Sequence, residues 1–554
     1  MRMRTVALAA FAALAPLTAS MAQTQSALPR PIEAEALQEL NAWSVSAMAR
    51  SDGALAPDLW QRSDPAFLAA AFDKLPAAYD SPATLALARR VLFTGGDAPR
   101  GDAQAAARKR FEAIGRMGAA DQLAQLVSGS GSSASDPLIA QYGAQAELAR
   151  GQRNAACARG RNASVGETAP PFLLRLRAYC AAASGDRTAA YLALELARAQ
   201  GADDAWYTGA VAAAGGAPGP RPPAARWDNS LSVQLSLAGN LRAGPNPLNG
   251  ASTLALVALA RNDQTPQPHR AQAAVLAFRR GAISAQEART IFAATPAEIS
   301  SALPVYVTAL RRIAAAPAAA APAPGAPADA APSPDAAALE RGAAIADVLR
   351  QAGNIADFYA AARFFRDDIN SLQAAPDQAA ALLFARASIA NGDTQVAQRL
   401  VASARQAGVD ETALAPLDAA LTVMTGVRGD NGTVAMQRRI DRGASQPRAA
   451  ARDVAIMAAM GAPVDGTVQT FLLTNAPQGG ARADTGAMLA MAAAVERGAI
   501  GEGAVLAAAA LGEAGPSALD AESLERIIRA LRGLRLDQDA QRIAVEAILA
   551  GQPR

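Results

Sequence analysis

The sequence is poor in the side chains on which most enzyme chemistry depends. Its 554 residues include one histidine, and lysine occurs only at positions 74 and 109. Catalytic triads, zinc hydrolase sites and imidazole acid–base catalysis need histidine beside suitable partners, and a Ser-x-x-Lys nucleophile needs a lysine in register. The sequence also has no G-x-S-x-G or P-loop motif. We therefore predict no catalytic, cofactor-binding or metal-ligating residues and interpret the chain as a non-enzyme.

The sequence also lacks a surplus of charge of either sign. Lys and Arg total 52 against 49 Asp and Glu, which gives a net charge of +3. The basic pI of about 9.0 therefore comes from a balanced surface and not from a positive field. Because binding to nucleic acid needs such a field, we predict no nucleic-acid partner.

Aromatic residues are scarce, at 4% of the chain, although 51% of the residues are hydrophobic. Alanine supplies about a quarter of the chain, far above its ordinary share. Alanine is the best helix former and a poor strand former, so the composition predicts an all-α fold of closely packed helices. The length predicts three or four domains or one extended repeat array.

The first residues have the layout of a secretory signal peptide. Two arginines precede the apolar run from Thr5 to Leu17, and Ser20-Met21-Ala22 places small residues before a cleavage site. A buried N-terminal helix is the alternative interpretation. No later segment reaches the 18 apolar residues of a membrane span. We expect cleavage after Ala22 and a periplasmic or secreted protein.

The two cysteines fit an exported chain. Cys157 and Cys180 lie in segments predicted as neighbouring helices, joined by a loop of small and turn residues over 160–171. Antiparallel helices bring such positions together, and disulfides persist outside the cytoplasm. A redox pair is the alternative, but the spacing is not C-x-x-C. We predict a structural disulfide.

Glycine, serine and proline divide the rest of the chain. A Gly/Ser stretch and a longer Ala/Pro tract predict a flexible linker and a disordered linker, respectively. The period-two pattern from Leu231 to Leu237 is typical of a strand, but we favour a helix there because the flanking segments are predicted to be helical. The predicted organisation is a signal peptide over 1–22, an N-terminal helical region over 23–127, a Gly/Ser linker over 128–136, a helical-repeat array over 137–313, a disordered Ala/Pro linker over 314–336 and a second array over 337–554.

Two pairs of similar turns recur in the two halves. Helices are joined at Ser184-Gly185-Asp186 and again at Asn391-Gly392-Asp393, where glycine can end one helix and aspartate can cap the next. Arg-Gly-Ala-Ile follows in each half, at 280–283 and 497–500. The order is the same in both halves, which suggests tandem duplication; chance similarity in an alanine-rich chain is the alternative.

These hairpins resemble tetratricopeptide-like α-helical repeats, over about twenty residues at each site. A regular 34-residue spacing and the aromatic signature of that family are missing. The resemblance implies stacked antiparallel hairpins, an α-solenoid of roughly twenty to thirty short helices, and protein binding. It assigns no binding residue.

Several candidate sites have simpler explanations. His269 lies in a polar, proline-rich stretch and is predicted to be a solvated surface residue. Adjacent acids such as Asp367-Asp368 point about 100° apart on a helix and do not form a catalytic pair. The chain is also similar in outline to the helical ring of lytic transglycosylases. However, its Glu522-Ser523 lacks the Gly-Leu-Met-Gln of that catalytic domain.

One aromatic segment, 358–366, is a candidate contact surface. A helix there buries one face, and Tyr359, Arg363 and Arg366 are expected outside as a possible partner contact. The sequence favours a non-catalytic exported scaffold or adaptor that mediates protein–protein interactions with envelope protein partners. A cell-wall or capsular polysaccharide-binding module is the alternative. A less favoured one is an envelope glycan hydrolase, which needs acids from distant helices to converge.

Overall fold

The protein is all-helical. A computed structural model describes residues 40–163, 169–219, 221–296, 305–315 and 334–551. The predicted signal peptide and the Ala/Pro tract between 316 and 333 lie outside these residues. The described part contains 27 α-helices and no β-strand, which confirms the all-α class and the expected number of helices.

The helices are mostly three to four turns long. Their bounds are α1 Pro65–Lys74, α2 Pro82–Phe93, α3 Gln104–Met117, α4 Ala120–Gly129, α5 Pro137–Ala149, α6 Arg153–Asn162, α7 Pro171–Ala183, α8 Arg187–Ala199, α9 Ala205–Ala214, α10 Ser230–Ala238, α11 Thr253–Arg261, α12 Gln267–Arg279, α13 Ala285–Ala293, α14 Tyr306–Ala315, α15 Pro334–Arg350, α16 Ile355–Phe364, α17 Arg366–Ser371, α18 Gln378–Ala390, α19 Thr394–Gln406, α20 Glu411–Thr425, α21 Asp430–Asp441, α22 Pro447–Ala459, α23 Gly466–Thr474, α24 Thr485–Arg497, α25 Ile500–Leu511, α26 Ala521–Gly533 and α27 Asp537–Ala550.

The two Gly-Asp turns form helical hairpins, between α7 and α8 and between α18 and α19. Gly185 and Gly392 have φ angles of +84° and +76°, a left-handed conformation that favours glycine. The aspartates that follow differ. Asp186 accepts a hydrogen bond from Ala189 N and caps α8, whereas Asp393 binds Arg366 instead. The backbone turn is therefore shared, but the capping is not.

The Arg-Gly-Ala-Ile segments also join helices, α12 to α13 and α24 to α25. Three helices separate the first of these turns from the α7–α8 hairpin, and four separate the second from α18–α19. The order of the turns agrees between halves while the helix count differs. Tandem duplication and a regular repeat therefore stay predictions.

The segment from Leu231 to Leu237 is helical, as favoured from its surroundings. It lies within α10, which begins with a reciprocal cap: Asn229 accepts from the backbone of Ser232, and the Ser232 side chain accepts from Asn229 N. Leu231, Val233 and Leu235 are all fully buried. The period-two pattern arose because α10 buries most of its circumference, so the polar serines between the leucines are inside as well.

The Gly/Ser stretch 128–136, expected to be a flexible linker, is folded. Helix α4 runs to Gly129, and a 3₁₀ helix occupies Gly131–Ser135. Ser130 is buried and its hydroxyl donates to Leu126 O. Asp136 then caps α5 by accepting from Leu138 N. The small side chains permit a tight helix-to-helix connection here rather than a mobile one.

The two ends of the described chain pack against each other. Helices α1 and α2 contact α25 and α27, and we call this contact the seam. Gly501 N donates to Leu59 O at 2.9 Å, and Asp80 N donates to Glu513 O at 2.9 Å. The first helices and the last helices of the described chain are therefore in direct contact.

Buried carboxylates stabilise the seam. Glu502, which is 1% exposed, accepts from Asp64 N at 3.1 Å and from Arg497. Asp539, also 1% exposed, forms an ion pair with Arg90. Both acids lie on helices near the C-terminus, and each binds a residue near the N-terminus. The pairing of these residues therefore cannot be recognised from either stretch of sequence alone.

Helices before and after the Ala/Pro tract share one core. Helix α12 contacts α16 and α14 contacts α15, and the largest apolar cluster contains residues from both sides of the tract. A separate cluster is formed by α5 to α10. The described helices belong to one compact unit.

The predicted disulfide is present. Cys157 in α6 is bonded to Cys180 in α7, with the two Cα atoms 5.8 Å apart. Such a bond persists in oxidising compartments, which agrees with an exported protein. None of the described helices has the length and apolar character needed to cross a membrane.

Replacing both cysteines with serine should lower the free energy of unfolding by about 3 kcal/mol, because the crosslink restricts the unfolded chain. Chemical denaturation with and without reductant measures this. Reductant should reproduce the loss in the wild type and do nothing to the double variant. Free thiols at Cys157 and Cys180 in protein isolated from its native compartment would contradict the assignment.

Candidate functional site

The main cavity lies between helices from both halves of the chain. Its volume is about 1370 Å³, and residues of α2, α4, α16 and α27 line it together with the α12–α13 and α18–α19 turns. Cavities that bind small molecules usually measure about 300–1000 Å³. This cavity is therefore large enough for part of a polymer or a partner protein.

One face of α27 forms a polar wall of the cavity. The lining residues of this helix are Gln538, Gln541, Arg542, Val545, Glu546 and Leu549. They recur at intervals of three and four, as residues on one helical face do. This spacing is the sequence signal that could have indicated a polar face on α27.

Glu546 joins the cavity to the seam. Its Oε2 atom accepts from Ala83 N at 2.9 Å, while Oε1 is buried and has no hydrogen-bond partner among the described residues. Burial raises the pKa of this carboxyl group to about 7; the Ser81 hydroxyl, Ala83 N and Arg363 act in the opposite direction. Near neutral pH, Glu546 is therefore only partly ionised.

We expect the raised pKa of Glu546 to make the protein less stable as the pH rises. Below the unfolded-state pKa of about 4.5, both states are protonated and Glu546 contributes no pH dependence. Above it the unfolded chain ionises first, so stability falls until the pH exceeds about 7, by up to about 3 kcal/mol. Denaturant unfolding across this range should show a shallower decline in Glu546→Gln. Exposed Glu522→Gln is the control, and equal slopes in all three proteins would contradict the expectation.

Two of the three predicted partner-contact residues are not on the outer surface. Tyr359 is 3% exposed, and its hydroxyl donates to Glu546 O at 3.4 Å. Arg363 donates to Phe278 O and Arg279 O at 3.0 and 3.3 Å. The expected outer face of the helix is covered because α16 packs against α12 and α18. The prediction of an external contact at these two residues was wrong; both line the cavity instead.

Arg366 is the exposed member of the three, with 51% of its side chain accessible. It forms an ion pair with Asp393 at the α18–α19 turn. It also lines the cavity, so the structure brings Tyr359, Arg363 and Arg366 to one site after all.

Two carboxylates from distant helices meet at one arginine in the cavity. Arg261 binds Asp121 of α4 at 2.9 Å and Glu287 of α13 at 2.8 Å. Although burial opposes it, hydrogen bonding and charge from Arg261, with help from Arg150, hold the pKa of Asp121 below its usual value. An acid pair for glycoside hydrolysis needs one protonated member. Because Arg261 binds both acids, the three side chains form an ion-pair cluster and not a catalytic acid pair.

His269 is not the solvated loop residue that the sequence suggested. It lies in the first turn of α12, and its ring packs edge-on against Trp227 with 5.0 Å between centroids. Burial lowers the pKa of this imidazole. Among the described residues, no group of three His, Cys, Asp or Glu side chains is placed to hold a metal ion.

Comparisons with known proteins give no family assignment. No protein-family model, curated protein or solved structure matches the chain. The resemblance to tetratricopeptide-like repeats therefore stays a prediction from the turn residues.

Proposed function

We propose that the protein is a non-catalytic exported scaffold that binds protein partners in the bacterial cell envelope. The supporting observation is the cavity of about 1370 Å³ at the meeting of both halves of the chain. Its size and its mixed charge suit a polypeptide segment that supplies both donors and acceptors. The disulfide supports an oxidising compartment.

The lining offers less to a polysaccharide. Binding of sugars by stacking needs accessible aromatic faces, but the aromatic side chains that line the cavity are buried: Phe93, Phe278, Tyr359 and Phe364. We therefore place protein partners first.

Site-specific cross-linking in envelope extract tests the proposal. A photoreactive residue at Gln538, which lines the cavity and is exposed, should form adducts with envelope proteins. The control is the same residue at Leu473, which is 86% exposed on α23. Adducts at both positions, or at neither over several salt concentrations, would contradict a partner site in the cavity. A glycan pull-down gives the polysaccharide alternative its own test.

A further inference from the structure

Two arginines approach the same helix end inside the cavity. Arg89 of α2 donates from Nη2 to Gly281 O, and Arg363 of α16 donates to Phe278 O and Arg279 O. The end of a helix carries a partial negative charge, so it attracts one cation and is partly neutralised by it. Here it receives two. Burial, together with the positive charge of Arg363, lowers the pKa of Arg89 to about 10.

These arginines retain unused donors. The Nε atoms of Arg89 and Arg363 are buried without a hydrogen-bond partner among the described residues. A guanidinium group has five N–H donors arranged to bind oxyanions, and an unsatisfied buried donor costs free energy. The carbonyls of α12 therefore satisfy only part of the hydrogen-bonding capacity at this point.

Arg542 adds a third cation to the lining of the cavity. It lines the cavity on α27, is exposed, and forms no hydrogen bond or ion pair with any described residue. Glu546 lies one helical turn further along the same face and is within electrostatic reach of Arg363.

Three acids around the cavity are already paired with other arginines. Asp121 and Glu287 are bound by Arg261, and Asp539 is buried against Arg90. Glu546 is within electrostatic reach of Arg363, and it is only partly ionised near neutral pH. Asp539 is also within electrostatic reach of Arg542. The remaining lining acids, Asp52 and Asp367, are exposed to solvent.

We propose that Arg89, Arg363 and Arg542 form an anion site that binds a carboxylate or phosphate group of a ligand inside the cavity. Guanidinium groups favour these oxyanions because their paired N–H donors match the spacing of the oxygens. Bound there, the anion accepts hydrogen bonds from the guanidinium groups and offsets their like charges. The inference goes beyond the scaffold function and does not depend on it.

Binding of citrate and inorganic phosphate to the mature protein tests the site. Isothermal titration calorimetry at constant ionic strength should detect the binding of both anions. Arg542→Gln should weaken binding about tenfold, the effect expected for one charged hydrogen bond. This variant breaks no bond in the structure, so its melting temperature without ligand should not change. The matched control is Arg526→Gln, which removes an equal charge from an exposed position on α26 outside the cavity.

A second variant should change the affinity for citrate in the opposite direction. Glu546→Gln removes a nearby negative charge, so citrate should bind several times more tightly above neutral pH. No binding by the wild type, or equal losses in Arg542→Gln and Arg526→Gln, would overturn the proposal. Cross-linking from Gln538 in the presence of citrate distinguishes two sources of the bound carboxylate or phosphate group, a partner protein and a free small molecule. Loss of adducts indicates an anion carried by a partner, and unchanged adducts with citrate bound indicate a free small molecule.

Discussion

Replacing Arg110 with methionine should lower the free energy of unfolding by about 4 kcal/mol or more. Arg110 on α3 is fully buried. Its guanidinium donates to Leu92 O, Ala42 O and Thr94 O at distances between 2.8 and 3.0 Å. The substitution leaves three buried carbonyls without a donor, and unsatisfied buried acceptors are among the costliest defects in a core.

Lysine should not rescue this position. The Arg110 guanidinium lies 5.7 Å from the ring centroids of both Trp43 and Trp60, a flat space that a planar group fills and an ammonium does not. Lysine also has its three donors at a single point, which cannot reach three separate carbonyls. We expect Arg110→Lys to be nearly as unstable as Arg110→Met.

Chemical denaturation measures these effects, and Lys109→Met is the control on the same helix. Lys109 is 37% exposed and forms ion pairs with the accessible acids Asp73 and Glu112, so its loss should cost about 1 kcal/mol or less. A loss below that level for Arg110→Met would show that the three carbonyls do not depend on Arg110.

The second large effect concerns the seam. Trp60 is fully buried and packs edge-on against Trp43 and Phe72, with ring centroids 5.3 and 5.9 Å apart. Trp60→Ala should cost about 4 kcal/mol, since it removes a large apolar group and leaves a cavity. Faster amide exchange in α25 as well as in α1 would show that the seam opens.

Trp60 also explains why residue 501 is glycine. A Cβ atom there would lie 2.4 Å from Trp60 Cε3 and 2.9 Å from Leu59 O. Gly501→Ala should therefore destabilise the wild type by about 2 kcal/mol. In the Trp60→Ala background at least half of that cost should disappear, because the ring contact is gone.

Gly503→Ala is the matched control on α25. A Cβ atom there would clash only with the end of the Leu534 side chain, at 2.5 Å, which can rotate, and would lie in ordinary contact with Ala494 Cβ at 3.6 Å. Its cost should be smaller and should not depend on residue 60. Additive effects of Gly501→Ala and Trp60→Ala would contradict the close contact at the seam.

Several local features could be predicted from neighbouring residues. The disulfide followed from two cysteines on adjacent helices, and the Gly-Asp turns followed from residues that favour a left-handed turn and a helix cap. Even so, local patterns did not decide which side of a helix is covered. Tyr359 and Arg363 were expected outside because their own helix has a more apolar face, but α12 and α18 pack around α16.

Apart from the spacing of polar residues on α27, the candidate site could not be predicted from the sequence. His269 and the adjacent acids drew attention as rare or paired residues, while Glu546 and Arg89 have no local feature that distinguishes them. Their importance comes from burial and from partners far along the chain. Glu546 binds the backbone of a residue 463 positions away, and no pattern within one helix encodes that separation.

By itself, the sequence determined the all-α class, the many short helices, the positions of several turns and the disulfide pair. These depend on helix propensity, capping and backbone conformation, which act over a few residues. Only the tertiary structure decided the contact between the two ends of the described chain at the seam, the cavity, and which charged groups are buried there. A helix with several apolar faces can pack against many partners. The choice among them depends on how side chains fit together across the whole fold, as Trp60 fits against Gly501.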